Sequence, residues 1–218
     1  NFISMVHISN IDGVEFPVKQ ITHLAHKYNI PILIDGAQSA GHGPINLKQL
    51  DCDFFAASGH KMCGPAGIGI LYVKDIDKFK PLYWGGNTVE DSNYYDFTPD
   101  EKGLFEPGLQ DYPGIIALSA ACDFLREKNV HNHIRTLNEE LTKNLKKSID
   151  QNQIVLIGPL EADKRSGIFD FYIPEVDHQE VAELLNNTYK IYARAGRHCV
   201  HSWYNNKKIQ GSVRIAFH

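Results

Sequence analysis

The stretch IPILIDGAQSAGHGPINLKQLDCDFFAASGHKMCGPAGIGILYVK, residues 30–74, decides how this chain folds. Pro31-Ile-Leu-Ile34 is a short apolar run that stops at Asp35-Gly36, which reads as a buried strand closed by turn residues. Phe54–Ala57 and Gly69–Val73 repeat the pattern and predict two further strands. Polar residues collect where each run ends: Asp35 and Gln38 after the first, Ser58, His60 and Lys61 after the second.

Working outward, residues 2–8 (FISMVHI) are apolar and β-prone, and Asn10, Asp12 and Gly13 follow as turn residues. Pro17 stands where a helix would start, and Val18, Ile21, Leu24 and Ala25 recur at helical spacing as far as Tyr28, with Asn29 closing the helix. The first 36 residues therefore read β-α-β, the crossover unit of a parallel sheet. Residues 85–103 are rich in Gly, Asn, Asp and Tyr without periodicity and predict a long loop. Helical patterns follow over 114–128 and 132–150. A strand is expected at 154–158, another near 168–173, a helix over 177–187, and strands near Ile191 and at Ser212–Ala216. The expected architecture is α/β. Residues 1–100 form part of a large, mainly parallel domain, and residues 101–218 form a smaller α/β unit with antiparallel strands, the helix at 114–128 bridging the two.

Composition narrows the functional classes. A formal net charge of -4 without a basic stripe argues against nucleic acid. Lys143, Lys146 and Lys147 read as a solvated helix face. No run of about 18 apolar residues predicts a membrane span. The start NFISMVHISN lacks the pattern of a signal peptide and opens directly in an apolar run, so the chain is expected to begin inside a longer polypeptide. Cys52, Cys63, Cys122 and Cys199 form no CxxC pair, which argues against a zinc knuckle and for free thiols in a reducing cytoplasm.

The polar residues at the strand ends suit one chemistry. The carboxyl edge of a parallel sheet is where α/β proteins bind ligands. A carboxylate there can hold a proton on a ring nitrogen, and an amide can reach a ring oxygen. A hydroxyl and an imidazole can donate to a phosphate, and a lysine that has lost its proton can form a Schiff base. Singly, each residue has an ordinary structural role, such as a cap or a surface loop. The ordered set of Asp35, Gln38, Ser58, His60 and Lys61 matches a phosphorylated pyridine aldehyde.

Residues 30–74 resemble the cofactor-binding core of the class V aminotransferases, enzymes of the fold type I pyridoxal-5′-phosphate (PLP) transferase group. The likeness is strongest to the cysteine desulfurase and selenocysteine lyase branch. It continues in SMVHISNIDG (4–13), FEPGLQDYPGIIAL (105–118), RAGRHCVHSWYN (194–205) and SVRIAF (212–217). The resemblance implies that Lys61 holds PLP, Asp35 pairs with the ring nitrogen, Gln38 meets the phenolic oxygen, and Ser58 and His60 hold the phosphate. It places Asn10 against a substrate or cofactor oxygen and Arg214 on the substrate carboxylate, a task for its planar fork. Arg194 lines the substrate site, and Cys199 is the thiol that takes sulfur from L-cysteine as a persulfide. Arg197 and His198 flank Cys199 as charges expected to favour its thiolate, while Cys63 reads as structural.

The family's Thr after the glycine at Gly108 is Leu109 here, so only the Gly108 amide is left to reach the phosphate of a neighbouring subunit's cofactor. The family's ring-stacking aromatic residue and phosphate-cupping turn are not found in these residues. His7, His23 and His26 read instead as strand and helix-surface residues. The implied partners are an amino-acid substrate, a second subunit in a homodimer, and a sulfur-acceptor protein. The alternatives are another class V aminotransferase or epimerase, or a non-catalytic fragment serving dimerisation or partner binding.

Overall fold

The computed structural model describes residues 1–94, 96–99 and 105–217. The first sheet has the order β1 (Ile3–Val6), β2 (Ile32–Asp35), β3 (Phe54–Ser58), β4 (Gly69–Val73). The first three strands run parallel and β4 closes the edge antiparallel. Helix α1 (Val18–Lys27) makes the crossover from β1 to β2. Pro17 precedes its first residue with a ring-fixed φ of -76°, and Asn29, at φ 53°, turns the chain out of the helix. A single helical turn, α2 (Leu47–Leu50), joins β2 to β3. Ile32 and Ile34 are fully buried and pack with Val18, Ala25, Phe55 and Ala57.

Beyond β4, residues expected to be loop form a hairpin of β5 (Val89–Ser92) and β6 (Phe97–Pro99). Both strands are exposed apart from Val89, so no inside-outside alternation marks them, and the pair is supported by Trp84 packed on Phe97 at 4.8 Å between centroids. The domain boundary expected near residue 100 lies outside the described residues. Helix α3 (Tyr112–Glu127) starts at Asp111, whose carboxylate accepts from the Gly114 amide, and places Leu118 and Leu125 on the first core. Helix α4 (Val130–Asp150) follows after Asn129, in the left-handed region at φ 49°, and sends Leu141, Leu145 and Ile149 to a second core.

That core lies on a second sheet of order β7 (Val155–Ile157), β8 (Ile168–Tyr172), β10 (Ser212–Ala216), β9 (Arg194–Gly196), all antiparallel as expected. Helix α5 (His178–Tyr189) covers it, capped by Asp177 accepting from the Gln179 and Glu180 amides. The strand expected near Ile191 begins three residues later. The sequence pattern did not suggest helix α6 (His201–Lys207), two turns long, whose one buried residue is Tyr204.

The two sheets meet through residues 8–15. Ile11 packs with Ile157 and Tyr204. The Ser166 amide donates to the Gly13 carbonyl at 2.9 Å. Gly13 is held at φ 70°, and a Cβ there would lie 2.6 Å from the Ser166 oxygen.

Truncating the first core should be costly and truncating α3's outer face should not. Ile34→Ala is expected to lose about 2–5 kcal/mol of unfolding free energy. Ile116→Ala, at a position 70% exposed, should change it by less than about 0.5 kcal/mol. Urea unfolding of the two variants tests this; equal losses would place Ile34 outside the core.

Candidate active site

Parallel pairing brings Val6, Asp35 and Ala56 to the same level of the first sheet. The segments leaving β1, β2 and β3 therefore emerge at one edge. The Gly36 amide donates to the Ala56 carbonyl at 2.8 Å, which carries the pairing one residue past Asp35. Glycine lets the Phe55 ring pack against the backbone there, since a Cβ would lie 2.0 Å from it. The Ala37 amide donates to Asp35 Oδ1 at 2.9 Å, which fixes the carboxylate and leaves Oδ2 unspent among the described residues. The chain then makes a turn at Ser39–Gly41, and a second turn at Gly59–Lys61 follows β3. These turns touch: a Cβ on Gly41 would lie 2.0 Å from the Lys61 carbonyl oxygen. Gln38 and Lys61 are thus carried on two turns in van der Waals contact. Among the described residues the side chains of Gln38, Ser58, His60 and Lys61 make no hydrogen bond or ion pair, so their polar atoms are free for a ligand.

Behind these turns stands His7, which sequence reasoning took for an ordinary strand residue. Its Nδ1 lies 2.9 Å from Ser39 Oγ, and its Nε2 is 3.4 Å from Glu15 Oε1. The bond to His7 holds the Glu15 carboxyl below its usual range. The His7 amide also donates to the Asp35 carbonyl at 2.9 Å, so His7 braces both ends of the Asp35–Gln38 turn.

A second group comes from the C-terminal sheet. Arg214 on β10 is directly paired with Arg194 on β9 and with Asp170 on β8, so the three share one face. Arg214 Nη1 donates to the Asn10 carbonyl at 2.7 Å, while its Nε is buried without a partner. Asn10 Nδ2 in turn donates to the His198 carbonyl at 3.0 Å. These bonds span separations of 204 and 188 residues and join the segment after β1 to β10 and to the loop carrying Cys199. The Cys199 thiol is exposed, with Arg194 Nη2 3.5 Å from Sγ.

The flanking charges expected to activate Cys199 are directed elsewhere. The Arg197 guanidinium donates to the Gln210 carbonyl and to Asn205 Oδ1, both at 3.0 Å. His198 is turned into the interior, where burial, then the positive charges of Arg214 and Arg194, pull its pKa down to about 4. It is neutral at ordinary pH, and the cation beside the thiol is Arg194. Gly108 also departs from expectation. Its amide donates to the Gly86 carbonyl at 2.7 Å and its carbonyl accepts from Asn87 and Gln110, so the N–H expected to meet a phosphate is already used.

Around His198 runs a buried polar chain. His198 Nε2 is 3.0 Å from Ser212 Oγ, Ser212 Oγ is 2.6 Å from the Tyr204 hydroxyl, and Tyr204 donates to Asp170 Oδ2 at 3.0 Å. With Asp170 Oδ2 as the last acceptor, the proton order is His198 Nε2–H to Ser212, Ser212 O–H to Tyr204, and Tyr204 O–H to Asp170. Burial raises the Asp170 carboxyl to about 7, against the opposing pull of Ser212, Tyr204 and Arg214.

All 218 residues match the family model "Aminotransferase class-V". The chain belongs to the class V aminotransferase family. This is a family of PLP-dependent enzymes. The chain is 36% identical to a probable cysteine desulfurase of Halalkalibacterium halodurans, over 99% of this chain and 53% of that protein. It is 34% identical to a probable cysteine desulfurase of Pyrococcus abyssi, over 99% and 54%. Among solved structures it superposes on a cysteine desulfurase from Thermococcus onnurineus with a TM-score of 0.88 and 32% identity, covering all of this chain and 55% of that one. A second, from Escherichia coli, gives 0.86 at 28% identity. The chain spans about half the length of the relatives it matches. The donors left unspent at the sheet edge, and the glycine that lets the Lys61 turn pack closely, fit the cofactor the family implies. Among the described residues no helix is long and apolar enough to cross a membrane.

The raised Asp170 carboxyl makes a prediction about stability. Between an ordinary value of 3.8 and about 7 the folded chain keeps a proton that the unfolded chain releases. Its contribution therefore falls as pH rises through that window, by on the order of 4 kcal/mol at about 1.36 kcal/mol per pH unit. His198, with a folded value below its unfolded 6.5, works in the opposite sense between 6.5 and about 4. Asp170→Asn deletes only the first effect. Its stability relative to wild type should climb from pH 4 to 7 and then level off in urea titrations. A difference independent of pH would show that Asp170 ionises normally.

Proposed function

We propose that the protein containing this chain is a PLP-dependent cysteine desulfurase that converts L-cysteine to L-alanine and keeps the sulfur as a persulfide on Cys199. The observation that carries this reading is the Cys199 thiol in contact with Arg194, which is directly paired with Arg214 on the neighbouring strand. A nucleophilic sulfur and two guanidinium groups are then carried on one loop and two adjacent strands. Two guanidinium groups directly opposite each other repel, and an incoming α-carboxylate relieves that repulsion while meeting the orphaned Arg214 Nε.

Lys61 is the amine that would hold the cofactor aldehyde and then move the proton at the substrate Cα. Asp35 Oδ2 would accept from the ring nitrogen, Gln38 would donate to the phenolic oxygen, and Ser58 and His60 would donate to the phosphate. Bound PLP supplies an electron sink. Asn10, through its unspent Oδ1, would orient the substrate or cofactor. Cys199 attacks the substrate sulfur. An S–S bond forms, the substrate C–S bond breaks with its electron pair left on carbon, and a proton completes the alanine methyl group. Gly108 takes no part in this proposal, because its amide is engaged by Gly86.

A homodimer, a sulfur-acceptor protein, a cytoplasmic setting for the four unpaired thiols, and a division near residue 100 belong to the same reading.

The test uses the intact protein with PLP and L-cysteine. Wild type should release alanine, Cys199→Ala should release none, and Lys61→Ala should lose the visible absorbance of the bound cofactor. Alanine production that survives Cys199→Ala overturns the assignment. Arg214→Lys keeps charge but not the fork, and should raise KM for cysteine about 10- to 100-fold, the range of one charged hydrogen bond. An unchanged KM would remove Arg214 from the carboxylate site.

A further inference from the structure

Cys199 is presented on a turn that its own residues do not favour. His198 and Cys199 both lie in the left-handed region, at φ 46° and 66°, which residues with a Cβ rarely adopt. The segment has no glycine at either position, so something outside it must hold the conformation. Three contacts do so. The Arg197 side chain is pinned to Gln210 and Asn205 on one flank, and the His198 carbonyl is clamped by Asn10. The His198 ring, only 2% exposed, is inserted under the sheet, edge-on to Tyr204 at 6.0 Å and bonded to Ser212. Ser212 sits on β10 directly opposite Gly196 of β9, two residues from the catalytic-side Arg214 and Arg194. The ring's anchor is therefore built into the same two strands that carry both guanidinium groups.

We propose that the buried chain His198–Ser212–Tyr204–Asp170 is the positioning device for the Cys199 thiol. By locking the His198 ring to the C-terminal sheet, it holds residues 198 and 199 in the left-handed turn that faces Sγ toward Arg194. His198 and Ser212 are positioning residues and touch neither substrate nor cofactor. Tyr204 and Asp170 continue the chain into the core and hold the Ser212 hydroxyl in place beside the His198 ring. The inference rests on the desulfurase reading for its purpose, but its geometry is measurable without turnover.

The readout is the charge preference of Cys199 alkylation in the intact protein. The other exposed thiols, Cys63 and Cys122, are replaced by Ser, and Cys52 is buried. Arg194 beside the sulfur attracts an anionic reagent, so iodoacetate should outpace its benchmark ratio to iodoacetamide by about threefold or more relative to Arg194→Gln, the scale of an exposed charge pair. Ser212→Ala and His198→Ala should bring the ratio down to that of Arg194→Gln. His198→Gln, which keeps an N–H at the Nε2 position, should restore most of it. Urea midpoints identify variants that remain folded; Ser212→Ala, the loss of a single oxygen, decides if His198→Ala does not fold. A ratio unchanged in Ser212→Ala overturns the proposal, as does a ratio that Arg194→Gln itself leaves unmoved. Alanine formation is assayed separately, so failure of the desulfurase reading and failure of the anchor give different results.

Discussion

Asn10 is the residue on which the two halves of the site depend. Its carbonyl accepts from Arg214 and its side-chain amide donates to the His198 carbonyl, so one residue in the segment after β1 ties down both β10 and the loop that follows β9. The segment around it is the joint of the molecule. His7 braces the Asp35–Gln38 turn, Ile11 enters the core beneath Tyr204, and Gly13 receives the Ser166 amide. Parallel pairing of β1, β2 and β3 would gather the first group of residues without it. Nothing in that sheet alone would bring Cys199, Arg194 and Arg214 into the same neighbourhood.

Burial decides the protonation of the polar chain behind this joint. Asp170 and His198 approach to 3.7 Å and could share a proton as an ion pair. Removing two charges from water costs more than their attraction returns unless every lone pair and proton is satisfied. Here Asp170 Oδ1 and His198 Nδ1 are both buried without partners. The pair is therefore neutral, with the proton on Asp170. A neutral chain of this kind adds little attraction, but it ties the buried His198 ring to β10 through Ser212, which is what an anchor requires.

Local pattern carried much of the fold. Pro17 and Asn29 bracket α1, Asp177 caps α5, and β4 and β10 have the bounds their apolar runs suggest, because those signals sit within a few residues of the structure they specify. The hairpin of β5 and β6 was hidden because its strands are exposed on both faces and carry no alternation. Helix α6 is too short for periodicity, with a single buried residue. At the candidate site, Asp35, Gln38, Ser58, His60 and Lys61 stand out in the sequence because each lies at or just past the end of a strand marked by its apolar run. The directions of Arg197 and His198 were not. They depend on Gln210, Asn205 and Ser212, and on which face of the 194–199 turn looks inward. His7 was missed for the same reason: its partners Ser39 and Glu15 come from separate elements.

Protonated Asp170 also bears on what the site can bind. It is the carboxyl group paired across the sheet with Arg214, and in its ionised form it would neutralise that guanidinium. Burial raises its pKa to about 7, so below that pH it offers Arg214 and Arg194 little counter-charge. Arg214 remains cationic although burial lowers its pKa, since a guanidinium starts so far above neutrality. Two cations held opposite each other, one with a buried unbonded Nε, are a liability in the empty fold. In the proposed reading an anion from outside would meet both, and the weak counter-charge of Asp170 would leave that place open.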